Sequence, residues 1–481
     1  MSLKLYNTRT RQLEEFRPLR EGRVDIYVCG LTPSAEAHIG HARSFLFFDV
    51  LRRYLRHLGF DARYVQNVTD IDDRSIARAR ETGEDWYDIV SGYYASFKES
   101  MRRLDVEEPD VEPYATKFIV QIVEMIGELL EREIAYVSED GVYYDVSKFS
   151  RYGALAHRKI DELEAGARIE VDEHKDDPLD FALWKFAKPG EPSWESPWGA
   201  GRPGWHIECS AMTRTVIGPD TFDMHGGGAD LVFPHHENEI AQSEPLMPHP
   251  PMANFWVHGG VLLSDGKKMS KSLGNFEPLS ELLDRHDPQA VRLLFLQTGY
   301  RKVMSMSEES LDAAAVSLER LKAAWRKLHP HSSAGALKRS VLLEQIEAAL
   351  NNDMNTAGAL AELHRFAANV DAIPEDSRSD AFREFSYALE MLGMPPRSSW
   401  LEVPKVELAA DFLERLQREL SGEISFNGAS PHDAIERIIA ERNLARMQKD
   451  WSRSDRLRDA LARCGVTLKD GKDGTTWTVD A

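Results

Sequence analysis

The stretch that most constrains the fold runs from Val24 to Val68. Val24, Ile26 and Val28 alternate up to Gly30, as in a half-buried strand, and Phe48, Leu51, Leu55 and Leu58 then recur at helical spacing as far as Gly59. A second strand, Ala62 to Val68, follows closely. The pattern predicts a parallel strand–helix–strand crossover, and ligands of such sheets sit beyond the carboxyl ends of the strands. The loop after Gly30 lies at that end.

The loop closes with His38-Ile39-Gly40-His41. Two imidazoles flank a glycine where the helix begins, beside backbone N–H groups and the positive end of the helix dipole, which suits an anion and phosphate above all. Gly40, with no side chain, lets a flat ring such as adenine approach the backbone. The plainer alternative is a pair of histidines that cap the helix, and four residues alone do not choose between the two.

The length of 481 residues allows about two to four domains. A formal net charge of -20 makes an acidic, soluble chain, which argues against general affinity for nucleic acid but leaves room for local basic patches. The sequence shows neither an apolar run of about 18 residues nor a signal-peptide pattern, so no membrane association is expected and a cytoplasmic enzyme is the default. Cys29, Cys209 and Cys464 are far apart and odd in number, which disfavours a disulfide framework and points to metal binding or catalysis.

Beyond Thr69-Asp70-Ile71-Asp72-Asp73 the pattern is helical through Arg80 and again from Trp86 to Leu104, and Val106 to Pro113 reads as a break. A helix from Thr116 to Glu133 and a hairpin from Ile134 to Val146, turning at Asp140-Gly141, read as an insertion between two halves of the sheet. Lys188 to Gly204 reads as an ordered irregular loop, Phe255 to Leu263 as a strand, and Leu311 to Leu392 as a helical bundle ended by the linker Gly393 to Ser399. Two helices, Pro431 to Lys449 and Ser452 to Cys464, and a short hairpin ending at Trp477 form a final unit.

His235 and Glu239 stand four apart on an expected helix, so both face one way and can share an ion. Cys29 and Cys209 could complete a tetrahedral zinc site, with His236 as a competing ligand; buried cysteines beside a solvated histidine–acid pair are the plainer reading. Lys268-Met269-Ser270-Lys271-Ser272, with glycines on both sides, could bring two ammonium groups to a triphosphate, or could be an ordinary solvated basic loop.

Together the histidine loop and the lysine loop resemble the HIGH and KMSKS signatures of class I aminoacyl-tRNA synthetases. Cys29-Gly30, Gly204 to Met212, His225 to Glu239, a helical Asn352 to Ala357, and the tail from Gly465 to Trp477 narrow the resemblance to the cysteinyl-tRNA synthetase family, over nearly the whole chain. The resemblance implies an α/β fold. Residues 1–113 and 200–305 would be two halves of a Rossmann-like parallel-sheet catalytic domain, 114–199 a connective insertion, and 306–394 a helical bundle. Residues 395–430 would then be a linker and helix, and 431–481 a small α+β anticodon-binding domain. It also implies ATP-dependent ligation of L-cysteine to tRNA(Cys) through a cysteinyl-adenylate, by a monomer, with no editing domain.

The same resemblance implies one zinc ion per chain on Cys29, Cys209, His235 and Glu239, binding the substrate thiolate, and magnesium accompanying ATP. His38, Gly40 and His41 would hold ATP, Lys271 and Lys268 the reacting phosphate, and Asp230 the ribose, while Thr69, Trp205 and His225 would line the cysteine pocket. Two departures stand out. Pro33-Ser34-Ala35 replaces the usual Val-Tyr-Asp, and Arg74-Ser75-Ile76-Ala77 lacks the family's lysine pair, so a persulfide-forming side activity is not carried over. A related cysteine ligase acting on a glucosaminyl inositol in mycothiol synthesis is the alternative. Against it, Ile435 to Arg463 holds eight Lys/Arg and five Asp/Glu, a local +3 in a chain of -20. That basic face, with Trp451, Arg453 and Arg456, suits unstacked tRNA bases and has no evident use to a sugar-directed ligase.

Overall fold

The computed structural model describes residues 2–158, 174–264, 267–268, 277–332, 335–402, 411–420, 424, 426, 430–471 and 474–479. They form two compact units, Met1–Arg397 and Ser398–Ala481.

The first unit opens with a hairpin of β1 (Lys4–Asn7) and β2 (Gln12–Glu15). The expected crossover follows as β3 (Arg23–Leu31), α1 (Ile39–His57) and β4 (Asp61–Val68), with β3 and β4 parallel and Ile26 opposite Tyr64. Next come α2 (Asp73–Thr82), capped by the Asp72 carboxylate accepting from Ser75 N at 2.8 Å, and α3 (Trp86–Arg103). The break from Val106 to Pro113 has no helix, but Val111 and Tyr114 bridge in parallel to Val65 and Val68, so this segment runs along the edge of β4.

Next come α4 (Ile119–Glu131) and an antiparallel sheet of β5 (Ala135–Val137), β6 (Gly141–Tyr144), β7 (Phe181–Phe186) and β8 (Gly201–Pro203), in that order. β8 corrects the reading of Lys188 to Gly204 as wholly irregular. Three residues between Pro- and Gly-rich turns are too few to show alternation, and only their pairing with Trp184 to Phe186 makes them a strand. At Gly204 a Cβ would lie 1.9 Å from the Ala182 carbonyl oxygen, so the chain re-enters the main fold in direct backbone contact with β7.

From there run α5 (Trp205–Val216), β9 (Phe222–Gly228), an irregular turn at Val232–His236 with Phe233 outside helical angles, α6 (Glu237–Ser243) and β10 (Ala253–Gly259). β10, β9, β3 and β4 lie side by side in that order, all parallel. The helix α1 packs tightly on this sheet, since a Cβ on Gly226 would meet the Phe48 ring at 2.2 Å. The strand expected over Phe255 to Leu263 is in fact two. Gly260 and Val261 leave the sheet, and β11 (Leu262–Ser264) pairs instead with β12 (Lys267–Lys268) and, beyond α7 (Leu279–Arg285) and α8 (Pro288–Leu296), with β13 (Met304–Met306).

Four helices form the expected bundle: α9 (Glu308–Leu328), α10 (Val341–Leu350), α11 (Thr356–Ala368) and α12 (Arg378–Met391). Asn352 to Asn355, expected as helical, is a turn, with Asp353 and Met354 at φ 56° and 50°. Tertiary contacts override helix propensity there: the Asp353 carboxylate accepts from Tyr6 N at 2.8 Å and Tyr300 OH at 2.9 Å, while Asn355 caps α11. Arg292 on α8, fully buried, pairs with Asp49 of α1 and donates to the Leu104 and Leu392 carbonyls at 2.9 Å each, tying the bundle's end to the sheet layer.

In the second unit α13 (Phe412–Glu419), α14 (Pro431–Met447) and α15 (Trp451–Arg463) share a core of Phe412, Leu416, Ile435, Ile438, Leu457 and Leu461. A hairpin of β14 (Val466–Gly471) and β15 (Gly474–Val479) closes it. Among the described residues no helix is long and apolar enough to cross a membrane.

Candidate active site and metal centre

Every strand of the parallel sheet ends at the same edge, and the site is built there. β3 shifts register between Val28 and Leu31, which swings Cys29 and Gly30 into the site. Gly30 N–H donates to Asn67 Oδ1 at 2.9 Å, and a Cβ on Gly30 would fall 1.6 Å from the Asn67 carbonyl oxygen, so this close approach requires glycine.

At the start of α1 the two readings of His38 and His41 prove compatible. Gly40 N–H donates to His38 Nδ1 at 3.1 Å and His38 N–H donates to His41 Nδ1 at 3.2 Å, with the rings stacked 3.8 Å apart. The backbone N–H groups expected to face an anion are instead taken up by the rings themselves, a capping box made of imidazoles. Because each Nδ1 accepts, each neutral ring carries its proton on Nε2. Burial lowers the basicity of both, that of His41 to about 3 with help from His38 and Arg74, so both rings are neutral and each bears an Nε2–H rather than a positive charge.

Cys29, Cys209 on α5, His235 in the irregular turn and Glu239 on α6 meet, with their ligand atoms all within 4.8 Å of one another and every residue buried. Cys29 Sγ lies 3.7 Å from Cys209 Sγ and 3.2 Å from Glu239 Oε1, and His235 Nε2 is 3.1 Å from that same oxygen. Burial, with Cys209 beside it, pushes the Cys29 thiol well above its ordinary pKa. Burial alone would raise the Glu239 carboxyl too, but His225 and His235 outweigh it and hold it well below. Two thiols, an imidazole and a carboxylate packed this closely can all bear their metal-binding charge states only around a cation, and the set can hold a metal. His236 could substitute in a second grouping with Cys29, His225 and Glu239, yet its Nε2 stands 3.9 Å from Glu239 and its Nδ1 is engaged by His258 Nε2 at 2.7 Å.

Of the residues expected around the substrate pocket, His225 and Trp205 touch this cluster. His225 Nε2 contacts Glu239 Oε2 at 2.9 Å, its ring stacked on Trp256 at 4.5 Å. Trp205, at the first turn of α5 and 39% exposed, lies over the His235 ring at 4.4 Å. Thr69 is buried just past β4, its hydroxyl accepting from Asn67 Nδ2 at 3.3 Å. Asp230 is exposed in the turn after β9, and a Cβ on Gly228 would collide with its carboxylate at 2.4 Å. Lys268 is in β12, its backbone opposite Leu263; Lys271 lies outside the described residues. In the second unit Trp451 is 59% exposed, Arg453 pairs with Glu441 at 3.0 Å, and Arg456 is on the same helix.

Two participants had no role from sequence reasoning. His206 Nδ1 lies 2.9 Å from His235 Nδ1; with the shared proton on His235, that ring's Nε2 is the bare nitrogen a metal needs. Arg43 is buried on α1. Its signal was a charged residue on the same helical stripe as Leu46, Phe47 and Val50.

Fold and site together define a class I aminoacyl-tRNA synthetase. Residues 15–316 match the family described as tRNA synthetases class I (C) catalytic domain. A solved structure of Mycobacterium tuberculosis methionyl-tRNA synthetase in complex with methionyl-adenylate shares the fold, with a TM-score of 0.55 at 13% identity over 77% of this chain and 89% of that one. Residues 431–477 match the cysteinyl-tRNA ligase anticodon binding domain. Cysteine–tRNA ligases of Azotobacter vinelandii and Vibrio parahaemolyticus are 46% and 43% identical, each over 99% of both chains. The chain belongs to the cysteine–tRNA ligase family.

Proposed function

We propose that this chain activates L-cysteine with ATP and transfers it to tRNA(Cys). The observation that carries this reading is the convergence of Cys29, Cys209, His235 and Glu239 at the sheet edge whose next element is the His38–His41 helix start. One loop then serves both substrates.

Those four residues would hold a zinc ion, which would supply a Lewis acid for the substrate sulfur. A thiolate is a far better zinc ligand than a neutral hydroxyl, so serine would be rejected by ligation, whereas a purely apolar pocket separates near-isosteres by only about 1–3 kcal/mol. His225, Trp205 and Thr69 enclose the amino acid. The Nε2–H groups of His38 and His41 donate to ATP phosphate oxygens, magnesium accompanies the triphosphate, and Asp230 accepts from the ribose hydroxyls. The cysteine carboxylate attacks the α-phosphorus and pyrophosphate departs, Lys268 and Lys271 balancing the charge that develops. A ribose hydroxyl of the terminal tRNA adenosine then attacks the carbonyl carbon and AMP leaves, with no covalent enzyme intermediate. Residues 1–113 and 200–305 carry this chemistry; 114–199, 306–394 and 395–430 serve as insertion, bundle and linker. The 431–481 domain reads the anticodon through Trp451, Arg453 and Arg456. The enzyme works as a cytoplasmic monomer.

The test is pyrophosphate exchange with cysteine and with serine, before and after chelation, followed by tRNA charging. Cysteine-specific exchange that chelation abolishes and zinc restores is expected. Equal exchange with serine would remove the zinc selector, and exchange without tRNA charging would point to a different acceptor.

A further inference from the structure

Arg43 stands two residues past His41 and is buried. Each hydrogen-bond partner of its guanidinium among the described residues is a backbone carbonyl. Nη1 donates to Gly260 at 3.1 Å and Val261 at 2.8 Å, and Nη2 to Gly299 and Tyr300, both at 3.4 Å, and to Lys302. These carbonyls come from two segments, one entering β11 and the other entering β13. The segments also touch each other: Gly260 N–H donates to the Tyr300 carbonyl at 2.7 Å, and Met304 N–H to that of Val261 at 3.1 Å. A Cβ on Gly260 would lie 2.6 Å from both the Arg301 and Lys302 carbonyl oxygens. One turn further along α1, Phe47 stacks on Tyr300 at 3.9 Å.

We infer that Arg43 is a positioning residue for adenylate formation, setting the register between the helix start that presents His38 and His41 and the β11–β13 sheet that carries Lys268. A buried charge whose partners among the described residues include no carboxylate is a poor source of stability, and what it offers is geometry. The planar guanidinium spreads its donors in a fixed fork, so one side chain spans both segments; the single ammonium of lysine cannot. The histidine donors and the lysine charge must meet one reacting phosphate, and a misplacement of about 1 Å there costs on the order of 10²-fold in rate. Cysteine capture lies elsewhere, on β3, α5 and α6, and does not depend on this joint.

The inference rests on the adenylate-forming reading, and the experiment separates the two. Full-length zinc-loaded protein and its Arg43→Lys, Arg43→Ala and Gly260→Ala variants are compared by cysteine-dependent pyrophosphate exchange, zinc content and calorimetric cysteine binding. Arg43→Ala should lose about 100-fold in exchange kcat, with KM for cysteine, cysteine affinity and zinc content unchanged, and Arg43→Lys should recover part of that rate. Gly260→Ala, which disturbs the joint while leaving the Arg43 side chain itself unaltered, should show the same split. Adding it to Arg43→Lys should cost less than the sum of the two. Native rates in the variants, or parallel loss of rate, cysteine affinity and zinc, would overturn the inference while leaving the activity in place. Native protein inactive in exchange would overturn both.

Discussion

At His41 the two ring nitrogens divide two tasks: Nδ1 accepts from the backbone of His38 and Nε2 bears the proton offered outward. With its pKa held near 3, His41 does not titrate in the physiological range. A lowered imidazole pKa keeps the ring neutral at every pH above it, so the pH profile of cysteine-dependent exchange should show no ionisation of His41 between pH 6 and 8. Removing the donor should matter more than removing any charge. His41→Ala is expected to reduce exchange kcat by about 10²–10³-fold, read by steady-state kinetics, with cysteine affinity retained. The candidate metal set was legible at this scale because Cys29 lies close to the end of a strand and His235 and Glu239 stand four residues apart. His206 and Arg43 were not. One acts on another histidine brought near only by the turn after β9, and the other binds backbone carbonyls, which leave no mark in side-chain identity.

Among elements, the contact between α1 and α8 is electrostatic at its centre. Burial would raise the Asp49 carboxyl, but Arg292 and Arg53 outweigh that and hold it below its ordinary value. A depressed native pKa stabilises the fold fully above the unfolded value, near 3.9, and that contribution fades as pH falls through the native one. Arg292→Ala should therefore destabilise the first unit by about 3–5 kcal/mol at neutral pH, because Asp49 is left buried with a charge partner removed. Urea denaturation measures this, and the variant's stability should also vary less with acid than that of the native chain. Strands and helices with clear periodicity were readable in advance, β3, α1 and β4 above all. β8 is defined by pairing rather than by pattern, the break at Gly260 by close backbone contact, and the turn at Asp353 by groups that come from Tyr6 and Tyr300. Each is a long-range contact that local periodicity does not encode.

For the whole molecule, the division after Arg397 separates the parallel and antiparallel sheets of the first unit from the helices that carry Trp451. A chain ended there should keep cysteine-dependent pyrophosphate exchange and lose most tRNA charging, a split that paired assays on one preparation detect. Comparable loss of both would mean that the second unit supports cysteine activation itself.

The metal set also carries a timetable. Cys29 precedes Cys209 by 180 residues, which at 5–20 residues per second is on the order of 10–40 s of synthesis. Throughout that interval the first thiol has no second thiol to share a metal with, and His235 and Glu239 emerge later still. On the reading proposed above, metal capture would belong to the end of catalytic-domain assembly. On the proposed zinc reading, a cell short of that metal would build up chains whose sheet has formed around two unshielded thiols, and the shortage would be felt in newly made protein before it touched the older stock.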